Sequence, residues 1–203
     1  MASKEYACVK RTKKAFETSL AQMAKEAPLN KISVKNLCEN AQLSRNAFYF
    51  HYKDISALIA DIEENLLDEA KAMLSELESL GFPKNVYATI DGLIDLFESR
   101  RDVVLMLLDE SYSATFTQSI SRVFSEFNYE YFRKAHGESS KVSYQFFYIF
   151  LAGGFYSIIK YWMENPDEMS KEALKGLTYV LIKRLLVPND PDIENIGSDV
   201  NKA

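Results

Sequence analysis

Apolar residues recur three and four positions apart along most of this chain, which is the period of a helix with one buried face. Between 7 and 27 the repeat runs through Val9, Phe16, Leu20 and Met23, and Pro28 follows its end. A second helix is expected over 29–41, with Ser33 as an N-cap and Leu37, Cys38 and Ala41 turned inward. A third opens at Ser44, again a capping residue. Asp54 starts a long fourth stripe over 54–80, carried by Leu58, Ile62, Leu66, Ala70, Met73 and Leu77, with Gly81 and Pro83 as its stop. Further helices are predicted over 84–99 (Val86, Ile90, Leu93, Ile94, Phe97), 101–110, 114–135 (Phe116, Ile120, Val123, Phe127, Tyr131), 141–164 and 170–187 (Leu174, Leu177, Leu181, Leu185). No segment reads as a strand and there is no internal repeat. The expectation is an all-α protein of about nine helices, with "PNDPDIENIGSDVNKA" a disordered polar tail over 188–203.

The helix over 141–164 differs in character from those before it. Residues 142–159, "VSYQFFYIFLAGGFYSII", carry no charge and reach the length of a membrane span. Ser143, Gln145, Ser157, two glycines and three tyrosines dilute the segment, so a helix covered on most sides is expected instead, with no membrane partner. Gly (7) and Pro (5) are scarce, which suits helices better than a turn-rich sheet. Cys8 and Cys38 have neither metal nor redox spacing. The opening "MASKEYACVKRTKKAF" has no apolar run of the kind a signal peptide carries, so a reducing cytoplasm is the expected compartment.

Charge is divided unevenly. Residues 1–53 hold ten Lys/Arg against four Asp/Glu, a balance of +6, although the whole chain stands at −5. A basic head over 1–53 and an acidic helical body over 54–187 are therefore expected, the head suited to a polyanion.

Two short helices separated by three or four residues, 29–41 and the one from Ser44, make a helix-turn-helix arrangement. When 45–53, "RNAFYFHYK", is wound at about 100° per residue, Arg45, Asn46, Tyr49 and Lys53 share one arc of about a quarter turn. Phe48 and Tyr52 fall elsewhere and can seat the helix on its neighbours. Arg can read guanine and Asn adenine in a DNA groove, and Tyr can reach a phosphate or a thymine methyl. Lys53 and Ser33 would stand near the backbone, with Lys35 and Ser44 beside them. His51 falls near the seating side, and its part depends on where the helix frays. A merely solvated face would look similar; the local charge favours the nucleic acid.

The stretch "ISVKNLCENAQLSRNAFYFHYKD" closely resembles the helix-turn-helix of TetR/AcrR-type bacterial transcriptional regulators. The resemblance lies in the Ser33–Val34 opening, Leu37, Ala41 and "LSRNAFYFHY", and extends to Leu58 in a long fourth helix, covering about residues 8–60. "YWMEN" followed by "MSKEAL" resembles a common C-terminal variant of the same family. Two positions depart from it: Gln42 stands where the turn usually has Gly, and Ile55 where Lys is frequent. A positive φ at Gln42 would bring a strain of roughly 1 kcal/mol.

That resemblance implies a homodimer on a palindromic operator of double-stranded DNA, built by the last two helices of each chain. The apolar helix over 141–164 argues independently for such a contact. Gly153 and Gly154 would let a neighbour approach closely, and Trp162, Leu174, Leu177 and Leu181 complete the expected interface. It also implies a pocket for a small-molecule effector in the body, with Phe97, Met106, Phe116, Tyr129, Phe132 and Tyr148 as candidate lining. No cofactor is implied.

Other classes fit less well. His51 and His136 are the only histidines, no phosphate-cradling Gly loop or paired-His metal spacing occurs, and an enzyme is not expected. A helical adaptor would not need the basic head. A thiol sensor would need Cys38, whose seat between Leu37 and Ala41 suits a small core residue.

Overall fold

The computed structural model describes residues 2–77, 84–136 and 141–186. Among these the chain is helical: α1 (Ala2–Met23), a 3-10 turn (Leu29–Lys31), α2 (Val34–Asn40), α3 (Arg45–His51), α4 (Ile55–Leu77), α5 (Lys84–Ser99), α6 (Arg101–Leu107), α7 (Ser113–His136), α8 (Lys141–Glu164) and α9 (Lys171–Leu186). The 3-10 turn, too short for a periodic signal, divides what the sequence suggests as one helix over 29–41. The stop at Gly81 and Pro83, the tail 188–203, and the side chains of Val86, Tyr131, Phe132, His136 and Leu185 lie outside the described residues.

The expected caps are in place. Ser33 Oγ accepts from the Asn36 amide at 3.2 Å, Ser44 Oγ from Ala47 at 3.1 Å, and Asp54 Oδ1 from Ala57 at 2.8 Å. Each satisfies an amide that the first turn of a helix leaves without a partner. Ser170 does the same for α9, accepting from Ala173 at 3.2 Å.

By packing, the chain forms two compact units, Met1–Asp68 with Arg100–Phe116, and Glu69–Ser99 with Thr117–Ala203. The first therefore holds the three helices of the head, the opening turns of α4, and α6. Its interior contains Phe16, Leu20, Leu37, Phe48, Leu58, Ile62, Leu66, Val104 and Leu107. Helix α1 packs on both α2 and α6, and α2 on α3. Polar ties fix these contacts in register: Ser19 Oγ donates to Asn40 Oδ1 at 2.6 Å, Arg100 donates to the buried Glu17 at 3.0 Å, and Lys25 pairs with Asp102 at 2.8 Å. Glu63, also buried, receives the Tyr112 hydroxyl.

In the second unit α5 packs on α9. Ile90, Leu93, Ile94 and Phe97 form the inner face of α5, as their spacing predicts. The seam with α9 is edged by charge. Lys175 reaches Asp95 at 2.9 Å and Asp91 at 3.4 Å, and Lys171 reaches Glu98 at 2.8 Å. Gly92 allows a close approach, because a Cβ there would stand 2.3 Å from Met73 Sδ. Elsewhere Phe97 faces Tyr156 of α8, their ring centroids 6.4 Å apart.

Candidate nucleic-acid interface

The turn between α2 and α3 sets the exposed face. Helix α2 ends with the Leu43 amide donating to the Cys38 carbonyl at 3.0 Å and the Gln42 amide donating to Glu39 at 3.3 Å. These nested bonds make a Schellman ending, whose middle residue takes the left-handed conformation. Gln42 occupies it with φ = 54°. The family pattern has Gly there because a Cβ is unfavourable in that region. The expected strain at Gln42 is thus borne by a real positive φ.

Two residues on, Ser44 caps α3, and Phe48 is the one buried residue of that helix. Its ring stands edge-on to Phe16 of α1 and 5.6 Å from Tyr52. With Phe48 seated, Arg45, Asn46 and Tyr49 face outward, as do Ser33, Lys35, Ser44 and Lys53, while His51 is half-buried. Because Ser33 and Ser44 cap through their oxygens, each hydroxyl proton stays available to an outside acceptor such as a phosphate. Lys35 Nζ stands 4.0 Å from Glu39, a surface contact that restrains it little.

The wheel drawn over 45–53 needs a correction. Helix α3 stops at His51, and Tyr52 is extended, with φ = −137° and ψ = 138°. Tyr52 and Lys53 thus owe their places to the turn into α4 and not to helical period. Tyr52 is turned inward and donates its hydroxyl to Asp61 Oδ2 at 2.7 Å, while Lys13 Nζ reaches Asp61 Oδ1 at 2.9 Å. Burial pushes the Asp61 carboxyl up, but the hydrogen bonds from Lys13 and Tyr52 outweigh it and hold it below its ordinary value. Burial, and then the bond to Asp61, raise the Tyr52 phenol. Burial and the Lys13 charge depress the His51 imidazole, favouring its neutral form. Burial raises the Cys38 thiol, with Arg45 acting the other way.

One exposed residue escaped the sequence reading. Phe50 is 79% exposed, more than any other large apolar side chain described, and stands edge-on to His51 at 4.9 Å. On the wheel it lies next to Asn46; the habit of turning phenylalanines inward hides it.

The body residues divide differently. Phe97, Met106 and Phe116 are buried and Tyr129 and Tyr148 half-buried. Met106 and Phe116 belong to the first unit, the other three to the second. Tyr129, Tyr144 and Tyr148 form a run of rings at 5.0 and 5.6 Å, and Tyr144 donates to the Ser125 carbonyl at 2.8 Å. Of the interface candidates, Gly153 and Gly154 are exposed with open space above them, and Leu181 is exposed. Leu177 is half-buried. Trp162 and Leu174 turn into their own chain, Trp162 donating its ring N–H to the Met169 carbonyl at 2.8 Å. Beside the glycines stand Phe146, Ile149 and Phe150, each about 70% exposed, with Tyr161 further along α8.

Comparisons with known proteins bear on this arrangement. Residues 84–184 match a family model of TetR type described as a transcriptional regulator C-terminal region. Curated protein sequences gave no significant match. Among solved structures, the chain resembles NalD, the secondary repressor of the MexAB-OprM multidrug efflux pump in Pseudomonas aeruginosa. The TM-score is 0.62 at 13% identity, over 89% of this chain and 98% of that one. It also resembles the dihydroxyacetone kinase operon activator DhaS, with a TM-score of 0.59 at 16% identity, over 87% of this chain and 95% of that one. The TetR family transcriptional regulator PfmR from Thermus thermophilus gives 0.55 at 12% identity, over 85% of this chain and 96% of that one. These likenesses identify the fold, a helix-turn-helix head on a helical body. The family match over α5 to α9 identifies that half of the chain as the C-terminal region of a TetR-type transcriptional regulator.

Proposed function

We propose that the protein is a dimeric repressor that reads a palindromic DNA operator with α3 and is released by a small-molecule effector. The observation that carries the reading is the seating of α3. Phe48 fills the socket against Phe16, and the opposite side leaves Arg45, Asn46 and Tyr49 exposed on a head of net positive charge. Arg45 and Asn46 can form two-point contacts with base edges, Tyr49 can reach a phosphate or a thymine methyl, and Ser33, Lys35, Ser44 and Lys53 can engage phosphates on either side. The exposed Phe50 extends the same face.

The dimer is supported by the apolar surface of α8. Phe146, Ile149, Phe150 and the two glycines make a continuous uncovered strip, larger than a water-facing helix ordinarily carries. Residues Tyr144–Glu164 are long and apolar enough to cross a membrane by composition alone. A second copy of the chain accounts for that strip without one, and the protein acts in the cytoplasm. Two heads held about 34–36 Å apart would reach successive major grooves. The tyrosine run of the body supplies aromatic faces and hydroxyls to an effector, which can release DNA only by favouring one arrangement of the dimer over the other. The protein is not an enzyme, and the burial of Cys38 speaks against a thiol sensor.

Selection of bound duplexes from random DNA by the full-length protein tests the proposal. A palindromic consensus, bound by the dimer with an affinity that falls steeply with salt, is the expected result. Indifference to duplex DNA in dilute salt would remove it.

A further inference from the structure

We propose that Asp61 is a positioning residue for α3, fixing the roll of that helix through the Tyr52 hydroxyl while Lys13 fixes Asp61. The inference rests on α3 being the DNA-reading helix. Three elements converge on one carboxylate: Lys13 from α1, Asp61 from α4, and Tyr52, the residue that closes α3. Each carboxylate oxygen serves a different donor, at 2.7 Å for Tyr52 and 2.9 Å for Lys13. The Lys13 ammonium also stands 5.5 Å from the centre of the Tyr52 ring, so one cation holds both partners. Asn65, one turn further along α4, donates to the Asp61 carbonyl at 2.6 Å.

The need for such a latch follows from the shortness of α3. It has seven residues and buries only Phe48. One ring in a socket selects the inward side of the helix, but apolar burial is only weakly directional and leaves the exact roll loosely set. A roll of about 20° at a radius of roughly 6 Å would carry a base-contacting group by about 2 Å, more than a two-point hydrogen bond tolerates. A hydrogen bond to a carboxylate is directional and strong. Placed at the closing residue of α3, it supplies the second fixed point, and Tyr52 keeps its ring buried against Phe48 at the same time. A phenylalanine at 52 would fill the same volume and leave rotation free.

Tyr52→Phe, which removes only the oxygen, is the decisive variant, with Asp61→Ala, Asp61→Asn and Lys13→Met beside it. In the full-length protein, amide hydrogen exchange over 48–51 should quicken about tenfold in Tyr52→Phe and Asp61→Ala, with α4 amides unchanged. A merely structural loss would speed α1 and α4 equally. Affinity for a selected operator should fall about tenfold, while affinity for a scrambled duplex and the salt slope stay as in wild type. Asp61→Asn, which keeps an acceptor for Tyr52, should fall between. If Tyr52→Phe does not fold, Lys13→Met carries the same test from a partly exposed position. Wild-type exchange over 48–51 together with wild-type discrimination would overturn the latch. Should the wild-type protein fail to discriminate among duplexes, the DNA-reading proposal falls. The exchange measurement then decides the latch alone, unchanged rates overturning it and selective quickening sustaining it.

Discussion

The rings of Phe16 and Phe48 meet edge-on, their centroids 5.3 Å apart and their planes at 86°. Both are fully buried, so the first helix of the head carries the socket for the third. This contact decides which side of α3 turns inward and leaves Arg45, Asn46 and Tyr49 outside, while the finer roll is left to the Tyr52–Asp61 bond.

Phe48→Ala should therefore cost about 3–5 kcal/mol of stability, the range for emptying a buried phenylalanine site. Urea unfolding of the two proteins measures it. Phe48→Leu, which refills most of the volume, should cost markedly less.

Gln42 holds φ = 54° in the Schellman ending of α2. Gln42→Gly should raise stability by up to about 1 kcal/mol, the relief of the Cβ clash being partly offset by the freer unfolded chain. Gln42→Val should lower it, because a β-branched side chain suits that conformation worst. The unfolding midpoints of both variants give the sign.

Arg45→Ala and Asn46→Ala should each weaken operator binding by about 1–3 kcal/mol and relax the preference at one base position. Lys53→Ala should weaken operator and random duplex alike and flatten the salt slope by about one unit. Fluorescence anisotropy titrations at several salt concentrations separate the two behaviours.

Acid should destabilise the fold in two stages. The His51 imidazole is depressed below its ordinary 6.5, by burial first and by Lys13 second. The unfolded chain therefore takes its proton first. The stability carried by neutral His51 is complete above pH 6.5 and is lost as the pH falls through the lower folded value. The Asp61 and Asp95 carboxyls lie below their ordinary 3.8, because hydrogen bonds from lysines, with Tyr52 for Asp61, outweigh burial. Their contribution is complete above 3.8 and disappears as the pH falls through the folded values. Denaturation across pH should lose its first stage in His51→Gln and keep the second.

Phe150→Glu places a charge in the uncovered strip of α8, where Phe150 is 67% exposed and has little packing to lose. Sedimentation should give a dimer for wild type and a monomer for the variant, with unfolding of the single chain little changed. A variant that stays dimeric would move the interface elsewhere.

Helix identity was readable because it depends on neighbours three and four apart and on caps, and both are local. Ser33, Ser44 and Asp54 each cap the helix assigned to them, and Leu37, Phe48 and Leu58 each point inward as their spacing requires. The candidate reading face was legible for the same reason, over the span in which α3 is truly helical. Tyr52 is buried against Phe48 as expected, although the chain has already left the helix there, and Phe50 was passed over because its exposure runs against its apolar character.

What the linear order of residues determined by itself, then, was the set of helices, their caps, the buried stripes and the basic head, all consequences of periodicity and side-chain chemistry within a few turns. Only the packed chain decided which stripes meet. The union of Lys13, Tyr52 and Asp61 joins residues through contacts between elements. So does the pairing of Tyr112 with Glu63. No local pattern encodes such contacts, because they arise when helices distant in sequence settle side by side and buried polar groups must find partners.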